Sequence, residues 1–600
     1  MALVSQGRDS PAPASEPMTS SDNEKTTCRE PPDASLPASE APQTGAHDDN
    51  GPHEKELGSP VIPALRLFAV ITGVCLGLFL SMLDSSIVAT ALFTIAVEFG
   101  NVEAINWVAL AYTLTYLSCA VLMARISDVV GRRVAFAAAY VVFIVFSMAC
   151  GFAQSMEQLI AFRAMQGLGG SGLYSVSMII MPELTPDHQK KYIAAVVGLV
   201  LTTSGVLGPV LGGILTQYTS WRWVFWINGP IGGVSLLIFL LAWPNKKYLP
   251  SLHRRAWKDV DFVSAFLLIA SAVLLVFPFQ NASKSPNWSS AVFIAPLVAG
   301  ILCLVLLFTW QSVLARRLLP ARKHLALALP PVLLRNRAYA AAVLQTMLTG
   351  FPYLLCIYAF PVRFQVVYGK SALHAGLMLL PMLAASALGS VVAGGLNGSK
   401  GRAKFFETMM IAGALMMLGC GLQITAEEQP AGVEAKVLGF LVFVGLGFGM
   451  SAAGCTMLAS VEAPIWEHAS AQGIIAQVRV FGGSIGVAAS SAILGTKTRA
   501  ALAGGSPPPD VLARLASDPS SLPAEQWALI KRVYTEALRE DMIVSCAVLA
   551  AALLFTLGIY RRNRMSMEDM LKQRYREEEE RRRAAAVGEG PTDKTPEQAV

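Results

Sequence analysis

Long apolar runs recur along the whole chain and constrain its fold more than any other feature. A helix needs about 20 apolar residues to cross a bilayer. About fourteen runs meet that length: residues 66–97, 105–124, 134–153, 158–181, 192–216, 223–243, 262–280, 291–311, 339–361, 374–396, 405–425, 436–460, 470–494 and 541–560. Only 15% of the residues are charged, whereas soluble domains carry about 25%. The sequence therefore predicts an all-α polytopic membrane protein.

Lysine and arginine are concentrated in alternate loops. Positively charged loops stay in the cytoplasm, so this distribution predicts that both termini are cytoplasmic. The short loops predicted to face outward carry few basic residues: Arg222, Lys284, Arg363, Lys370 and Lys436. Asn281 and Asn287 begin glycosylation sequons on that outer side. The predicted location is the cell membrane, with the vacuolar membrane as the alternative.

Two loops share a Gly-Arg pair, Gly131-Arg132 after the second span and Gly401-Arg402 after the tenth. The pairs coincide if the first six spans repeat as the last six, and two parallel six-helix halves are a known transporter plan. The predicted organisation is a disordered cytoplasmic N-terminal tail (1–62), a six-helix half (63–243), two inserted helices with their loops (244–338), a second six-helix half with a long outer loop at 496–541 (339–560), and a charged cytoplasmic C-terminal tail (561–600).

Patterns that indicate catalysis, metal binding or nucleotide binding are absent from the sequence. The seven histidines fall in tails, loops or helix ends, and the nine cysteines form no C-x-x-C pair. No G-x-x-x-x-G-K-[ST] loop is present to bind a nucleotide. We therefore expect no enzymatic activity, no metal site and no cofactor.

Three ionisable side chains are predicted to lie inside spans, where charge is costly and usually functional. Asp84 lies deep in the first span, Arg163 in the fourth and Arg479 in the thirteenth. A rise of about 1.5 Å per residue allows Asp84 and Arg163 to share a depth and a cavity. A carboxylate whose protonation depends on the side to which the cavity opens meets the requirement for proton coupling. The alternative is a static buried pair that fixes helix registry.

The loop after the second span combines both signs of charge in a tight turn. Asp128 precedes Gly131-Arg132-Arg133 by three residues. Asp128 is expected to pair with a basic group or with the N-terminus of a neighbouring helix. Such a pair acts as a latch if it breaks and re-forms as the two halves rock. The alternative is a solvated loop that simply follows the charge rule.

The fifth span carries a cluster of small residues: Gly205, Gly208, Pro209, Gly212 and Gly213. Their spacing places them on one face of a helix. A face without bulk lets another helix approach to backbone contact, and Pro209 favours a bend because it removes a backbone donor. The stretch is a candidate hinge and seal. The alternative is ordinary helix packing.

The order of these motifs resembles the major facilitator superfamily, and within it the fourteen-span drug:proton antiporters common in fungi. The matching segments are Leu83 to Leu92, Asp128 to Arg133, Arg163 to Gly167, Gly205 to Gly213 and Trp221 to Pro230. The resemblance implies the major facilitator fold, with helices arranged as six, two and six. It also implies a part in proton transfer for Arg163 and Gln166, and it marks the fifth-span stretch as an antiporter motif.

The resemblance further implies a secondary active transporter that exports amphipathic organic compounds in exchange for protons by alternating access. The cargo, a drug, toxin or secondary metabolite, is expected between the halves. Asp84, Arg163, Gln166 and Arg479 are assigned to a proton-coupling and substrate cavity. The protein is expected to be monomeric and driven by the proton gradient. An importer of a siderophore or nutrient on the same fold is the main alternative, and a membrane enzyme or receptor is the third.

Overall fold

Helices account for nearly all of the residues that the computed structural model describes. The described residues are 63–101, 104–185, 193–244, 261–282, 290–317, 331–398, 403–425, 435–464, 467–501, 524–562 and 565–586. The predicted N-terminal tail, residues 1–62, lies outside them.

The first half of the chain contains five long helices and one span in two pieces. These are α1 (Ala64–Phe99), α2 (Ile105–Val130), α3 (Arg132–Gly151), α4 (Met156–Leu184), α5 (Ile193–Tyr218), the single turn α6 (Trp223–Trp226) and α7 (Asn228–Ala242). Gly100 ends α1 at a φ of 63°, a left-handed conformation that glycine adopts without strain. Ser155 caps α4 by accepting a hydrogen bond from the Gln158 amide.

The inserted pair and the second half follow in the same manner. They are α8 (Phe262–Ala282), α9 (Ala291–Arg317), the short α10 (Pro331–Arg335), α11 (Arg337–Val366), α12 (Ala372–Gly398), α13 (Phe405–Ile424), α14 (Ala435–Glu462), α15 (His468–Ala501), α16 (Ala524–Thr556) and α17 (Met567–Ala586). The segment 496–541, predicted as a long outer loop, is helical at both ends, because α15 continues to Ala501 and α16 starts at Ala524. Residues 502–523 lie outside the described residues.

Thirteen of the described helical segments are long and apolar enough to cross a membrane, which confirms the all-α polytopic architecture. The remaining predicted span, the fourth, corresponds to α4. That helix has 29 residues and packs on α1, α2 and α3. Its glycines, serines and buried Arg163 and Gln166 make it less apolar than the others.

Apolar packing joins the two halves at one end of the bundle. The largest buried cluster contains residues of both halves, among them Ile87 and Leu92 of α1 and Leu355 of α11. At the opposite end the cores are separate: one cluster, around Val74 and Tyr140, contains only first-half residues, and another, around Leu458, contains no first-half residue. The halves therefore meet at the end where α1 finishes, which the charge distribution predicts to be the outer end.

Hydrogen bonds between the halves lie toward the same end. The Tyr358 hydroxyl of α11 donates to the Ser85 carbonyl of α1 at 2.5 Å. The Gln365 amide donates to the Thr90 carbonyl at 3.3 Å. Polar and apolar contacts thus agree on which end is closed.

The inserted pair lies against the seam between the halves. Helix α8 packs on α9 and also on α2 and α15, which belong to different halves. A polar cluster ties the pair together: the Gln311 amide and the Trp310 indole of α9 donate to Asp261, at 3.1 and 3.3 Å. The pair is therefore integrated into the bundle.

Within the charged C-terminal tail, Met567–Ala586 form a helix, α17, that docks on the second half. Met567, Met570 and Leu571 of α17 pack against the second-half core. Arg574 donates to the carbonyls of Val461 and Glu462 at the end of α14, at 3.1 and 3.0 Å. An arginine at the C-terminus of a helix satisfies carbonyls that have no partner within the helix.

We predict that Arg574→Ala releases α17 from the bundle. Hydrogen bonds to a charged donor are worth about 1.5–3 kcal/mol each, so backbone amides of α17 should exchange with deuterium about tenfold faster or more. Lys572→Ala is the matched control, because Lys572 pairs with Glu568 of the same helix, at 2.8 Å. Hydrogen–deuterium exchange of the protein in nanodiscs measures both. Equal exchange of α17 in the two variants contradicts the docking role of Arg574.

Candidate functional site

A buried carboxylate lies at the centre of the first half. Asp84 of α1 is fully buried and forms an ion pair with Nη1 of Arg163 from α4. Its other oxygen, Oδ1, accepts hydrogen bonds from the Gln166 amide at 2.8 Å and the Asn228 amide at 3.0 Å. Three donors therefore surround one acid inside the bundle.

The donors are held in turn by groups from neighbouring helices. Arg163 donates from Nε to the Val108 carbonyl of α2 at 3.0 Å and lies 4.3 Å from the centre of the Tyr112 ring. Arg163 Nη1 also donates to Gln166 Oε1 at 2.8 Å. Asn228 of α7 donates to the Ser147 hydroxyl of α3 at 2.9 Å. The network thus draws on α1, α2, α3, α4 and α7.

The structure brings together three of the predicted cavity residues, Asp84, Arg163 and Gln166. It adds Asn228 and Ser147, which the sequence analysis did not single out. Asn228, near the start of the sixth predicted span, could have been singled out from the sequence, because polar side chains inside a membrane need partners. Ser147 carries a weaker signal, since a serine in a helix can bond to its own backbone.

Arg479, the fourth predicted cavity residue, lies in the second half and does not join this network. It donates from Nε to the Thr346 hydroxyl of α11 at 3.0 Å and from Nη2 to the Ala452 carbonyl of α14 at 3.1 Å. Neutral polar groups lie beside these partners: the Ser451 hydroxyl and the Cys455 thiol both donate to Gln345 Oε1.

The predicted latch forms an ion-pair cluster within the first half. Asp128 pairs with Arg132 at 2.5 Å, and Arg132 also pairs with Glu183 at the end of α4, at 3.0 Å. Gly131, at a φ of 100°, allows the sharp step from α2 to α3. Arg133 donates to the Leu240 carbonyl of α7 at 3.0 Å. The cluster therefore ties α2, α3, α4 and α7 together, and Glu183 is the partner that sequence reasoning missed.

The small residues of α5 lie against two different helices, α1 of the first half and α12 of the second. A Cβ at Gly208 would lie 2.0 Å from Ser86 Oγ, and one at Gly212 would lie 2.2 Å from the Ile87 carbonyl oxygen. These two glycines thus pack on α1. A third, Gly205, has nothing within 4 Å of the position where its Cβ would be.

The other two small residues of α5 contact α12 of the second half. A Cβ at Gly213 would lie 2.7 Å from the Leu373 Cα. A Cβ at Gly376 of α12 would in turn lie 2.3 Å from the Pro209 carbonyl oxygen. Backbone-to-backbone contact between the halves is possible here because neither helix carries bulk. Helix α5 therefore lies between α1 and the opposite half.

The predicted glycosylation asparagines are only partly covered by the described residues. Asn281 lies in the last turn of α8, and Asn287 lies outside the described residues. Within the part of the chain that the structure describes, no three His, Cys, Asp or Glu side chains are grouped so that they could hold a metal ion.

Comparison with known proteins places this arrangement in a family. Residues 74–487 match the model of the Major Facilitator Superfamily. The chain is 32% identical over 437 residues to the MFS-type transporter FPY5 of Fusarium mangiferae, covering 72% of each protein. It is 31% identical over 418 residues to Multidrug resistance protein 3 of Bacillus subtilis, covering 70% of this chain and 78% of that protein.

A solved structure has the same fold. A bacterial homologue of the human lysosomal transporter Spinster, in an inward-facing and unoccupied conformation, aligns with a TM-score of 0.56 and 16% identity. The alignment covers 83% of this chain and 98% of that one. With its helical halves, its inserted pair and its sequence match over most of the bundle, the chain belongs to the major facilitator superfamily of membrane transporters, and its relatives include proteins of the multidrug and efflux type.

Proposed function

We propose that the protein exports amphipathic organic compounds in exchange for protons by alternating access. The observation that carries the proposal is the buried Asp84 with its three donors. An ionisable residue inside a membrane protein is costly and marks ion pathways and proton relays. The proton gradient supplies the energy, and the cycle uses no prosthetic group.

Two protonation states of Asp84 favour different packings. When Asp84 is ionised, its charge is offset by Arg163 and it holds α1 against α4 and α7. When it is protonated, Arg163 loses its counter-charge, and loss of one member of a buried pair costs about 3–5 kcal/mol. A difference of that size is enough to move a two-state equilibrium from one conformation largely to the other.

The turn of α1 that carries Asp84 also contacts α5 and α11, two helices that must move in the proposed cycle. The Ser86 hydroxyl, two residues on, donates to the Ser204 carbonyl of α5 at 3.2 Å. The Ser85 carbonyl accepts from Tyr358 of the other half. A displacement of this turn therefore reaches α5 and α11 directly, which supports coupling between protonation and the closed end.

The closed end supports a cycle that begins on the cytoplasmic side. With the predicted orientation, in which both termini are cytoplasmic, the separate cores of the two halves face the cytoplasm. Cargo enters there and leaves after the outer contacts open. The similarity to a protein named for multidrug resistance favours export of varied organic compounds over import. We place the protein in the cell membrane as a monomer.

Export and import predict opposite changes in the intracellular amount of the cargo when the gene is deleted. Deletion of the gene should raise the intracellular amount of an exported dye such as rhodamine 6G and should lower that of an imported compound. A fall in accumulation on deletion contradicts export and favours the siderophore or nutrient importer.

We predict that Asp84→Asn abolishes proton-driven transport and leaves the bundle folded. The asparagine oxygen can still accept from Gln166 and Asn228, but the side chain can no longer gain and lose a proton. Dye movement driven by a pH gradient in proteoliposomes should fall about 100-fold or more, which corresponds to roughly 3 kcal/mol in the barrier.

Glu98→Gln is the control for this test. Glu98 is also an acid of α1, but it pairs with Arg222 at the predicted outer end, at 2.7 Å. Its variant should keep the dependence on the pH gradient. If Asp84→Asn moves dye at the wild-type rate with the same pH dependence, Asp84 is not the coupling acid.

We predict that Gly208→Leu impairs transport much more than Gly205→Leu. Both positions lie on α5, one turn apart. A side chain at Gly208 collides with Ser86, whereas one at Gly205 meets no atom within 4 Å of its Cβ. Dye transport should fall about tenfold or more for Gly208→Leu, since overpacking costs typically 1–3 kcal/mol, with comparable amounts of both variants in the membrane. Equal transport by the two variants would mean that the small-residue stretch of α5 serves only in ordinary helix packing.

A further inference from the structure

Arg479, in α15 of the second half, has no acidic partner among the described residues, unlike several arginines of the first half. Arg163 pairs with Asp84, Arg132 with Asp128, and Arg222 with Glu98. Within the described part of the chain, the hydrogen bonds of Arg479 go to the Thr346 hydroxyl and the Ala452 carbonyl, both neutral. Among the described residues, the groups that interact electrostatically with it are a thiol and two phenols, Cys455, Tyr174 and Tyr353.

The guanidinium faces the space between the halves. Tyr174, which lies close enough to Arg479 for an electrostatic interaction, belongs to α4 of the first half. Toward the closed end on the same helix, the Ser484 hydroxyl reaches Thr113 of α2 at 3.4 Å. Arg479 therefore lies on a helix that contacts the first half, and its side chain is only partly buried.

Flat aromatic side chains surround this position on both sides. The Phe448 ring centre is 5.9 Å from the Arg479 guanidinium carbon, and Tyr353 stacks on Phe448 with centres 3.4 Å apart and planes 4° apart. Across the gap, Tyr174 packs against Tyr116 with ring centres 5.7 Å apart. A positive charge between aromatic surfaces is complementary to a compound that has an aromatic body and a negative group.

The position of Arg479 is fixed by the backbone. A Cβ on Gly350 of α11 would lie 2.1 Å from the Arg479 carbonyl oxygen, so α11 and α15 are in close contact at this residue. Its two hydrogen bonds orient the guanidinium further. A preformed group loses little freedom on binding, which strengthens binding of a ligand that fits it.

We propose that Arg479 binds the anionic group of the cargo and that the cargo class is therefore aromatic organic acids, such as carboxylates. The proposal rests on the transport function proposed above and names its substrate class. While the gap is open, water solvates the guanidinium. When the halves close around a cargo, that water is lost, and an uncompensated charge inside the membrane is costly. A carboxylate on the cargo supplies the missing counter-charge, and an arginine can hold it through two parallel hydrogen bonds.

The test compares three probes that share one aromatic body: pyrenebutyrate, its neutral methyl ester, and the corresponding trimethylammonium cation. Binding to the purified full-length protein is measured by pyrene fluorescence. The wild type should bind the carboxylate about 10- to 100-fold more tightly than the ester, as expected for hydrogen bonds to a charged group. Arg479→Gln should lose this preference. Arg479→Lys should retain part of this preference, because lysine keeps the positive charge but lacks the forked N–H donors of arginine.

Arg222→Gln is the matched control, because Arg222 already has an acid, Glu98, at the predicted outer end. It should keep the wild-type preference. Thermal unfolding of each variant checks that the bundle is intact, and the Arg479→Lys result keeps the test decisive if Arg479→Gln is unstable. Failure of the wild type to bind the carboxylate, equal binding of the three probes, or an unchanged preference in Arg479→Gln overturns the proposal.

The probe-binding test and the transport test can fail independently. If the carboxylate preference depends on Arg479, the anion site stands even where Asp84→Asn leaves proton dependence unchanged, and only proton coupling fails. If Asp84→Asn abolishes pH-driven transport and the three probes bind equally, proton coupling stands and the assignment of acidic cargo fails.

Discussion

The ion pair between Asp84 and Arg163 is the contact on which the first half depends. A charge in the interior of a membrane protein must be paired, and this carboxylate has three donors from two other helices. A buried pair is weak evidence for stability, because well-packed apolar residues are often as good. In the proposed cycle, its value lies in its response to protonation: one proton removes the charge that holds α1, α4 and α7 together. Arg163 also contacts the Val108 carbonyl and the Tyr112 ring, two neutral groups that do not depend on the charge of Asp84.

Charged side chains are partnered differently in the two halves. The first half contains an acid and a base that neutralise each other, and its latch cluster also balances Asp128 and Glu183 against Arg125 and Arg132. In the second half, the groups around Arg479 are neutral and polar. Under the proposed function, this division assigns the response to protons to the first half and the selection of cargo to the second. The contacts of α1 and α2 with α11 and α15 are one place where the two tasks meet.

Much of this architecture could be predicted from the sequence, because apolar length and charge placement decide which segments enter the membrane. The charged residues inside the spans also stood out, since each is costly there. The neighbours of a given side chain could not be predicted. Spacing puts Gly205 and Gly208 on one side of α5, yet only Gly208 meets α1. Glu183 and Asn228 gained their significance from helices distant in sequence, and the docking of α17 through Arg574 depends on carbonyls that only the folded α14 presents.

Three successive residues of α1 explain how a proton could act on the whole bundle. Consecutive residues of a helix point about 100° apart, so Asp84, Ser85 and Ser86 reach different neighbours. Asp84 contacts α4 and α7, the Ser85 carbonyl contacts α11, and Ser86 contacts α5. Because Gly208 leaves no space beyond Ser86, α5 cannot stay in place if this turn shifts. Helix α5 in turn contacts α12 through Pro209 and Gly213, so the displacement reaches the second half within two helix contacts. No longer pathway is needed to connect the acid with the closed end.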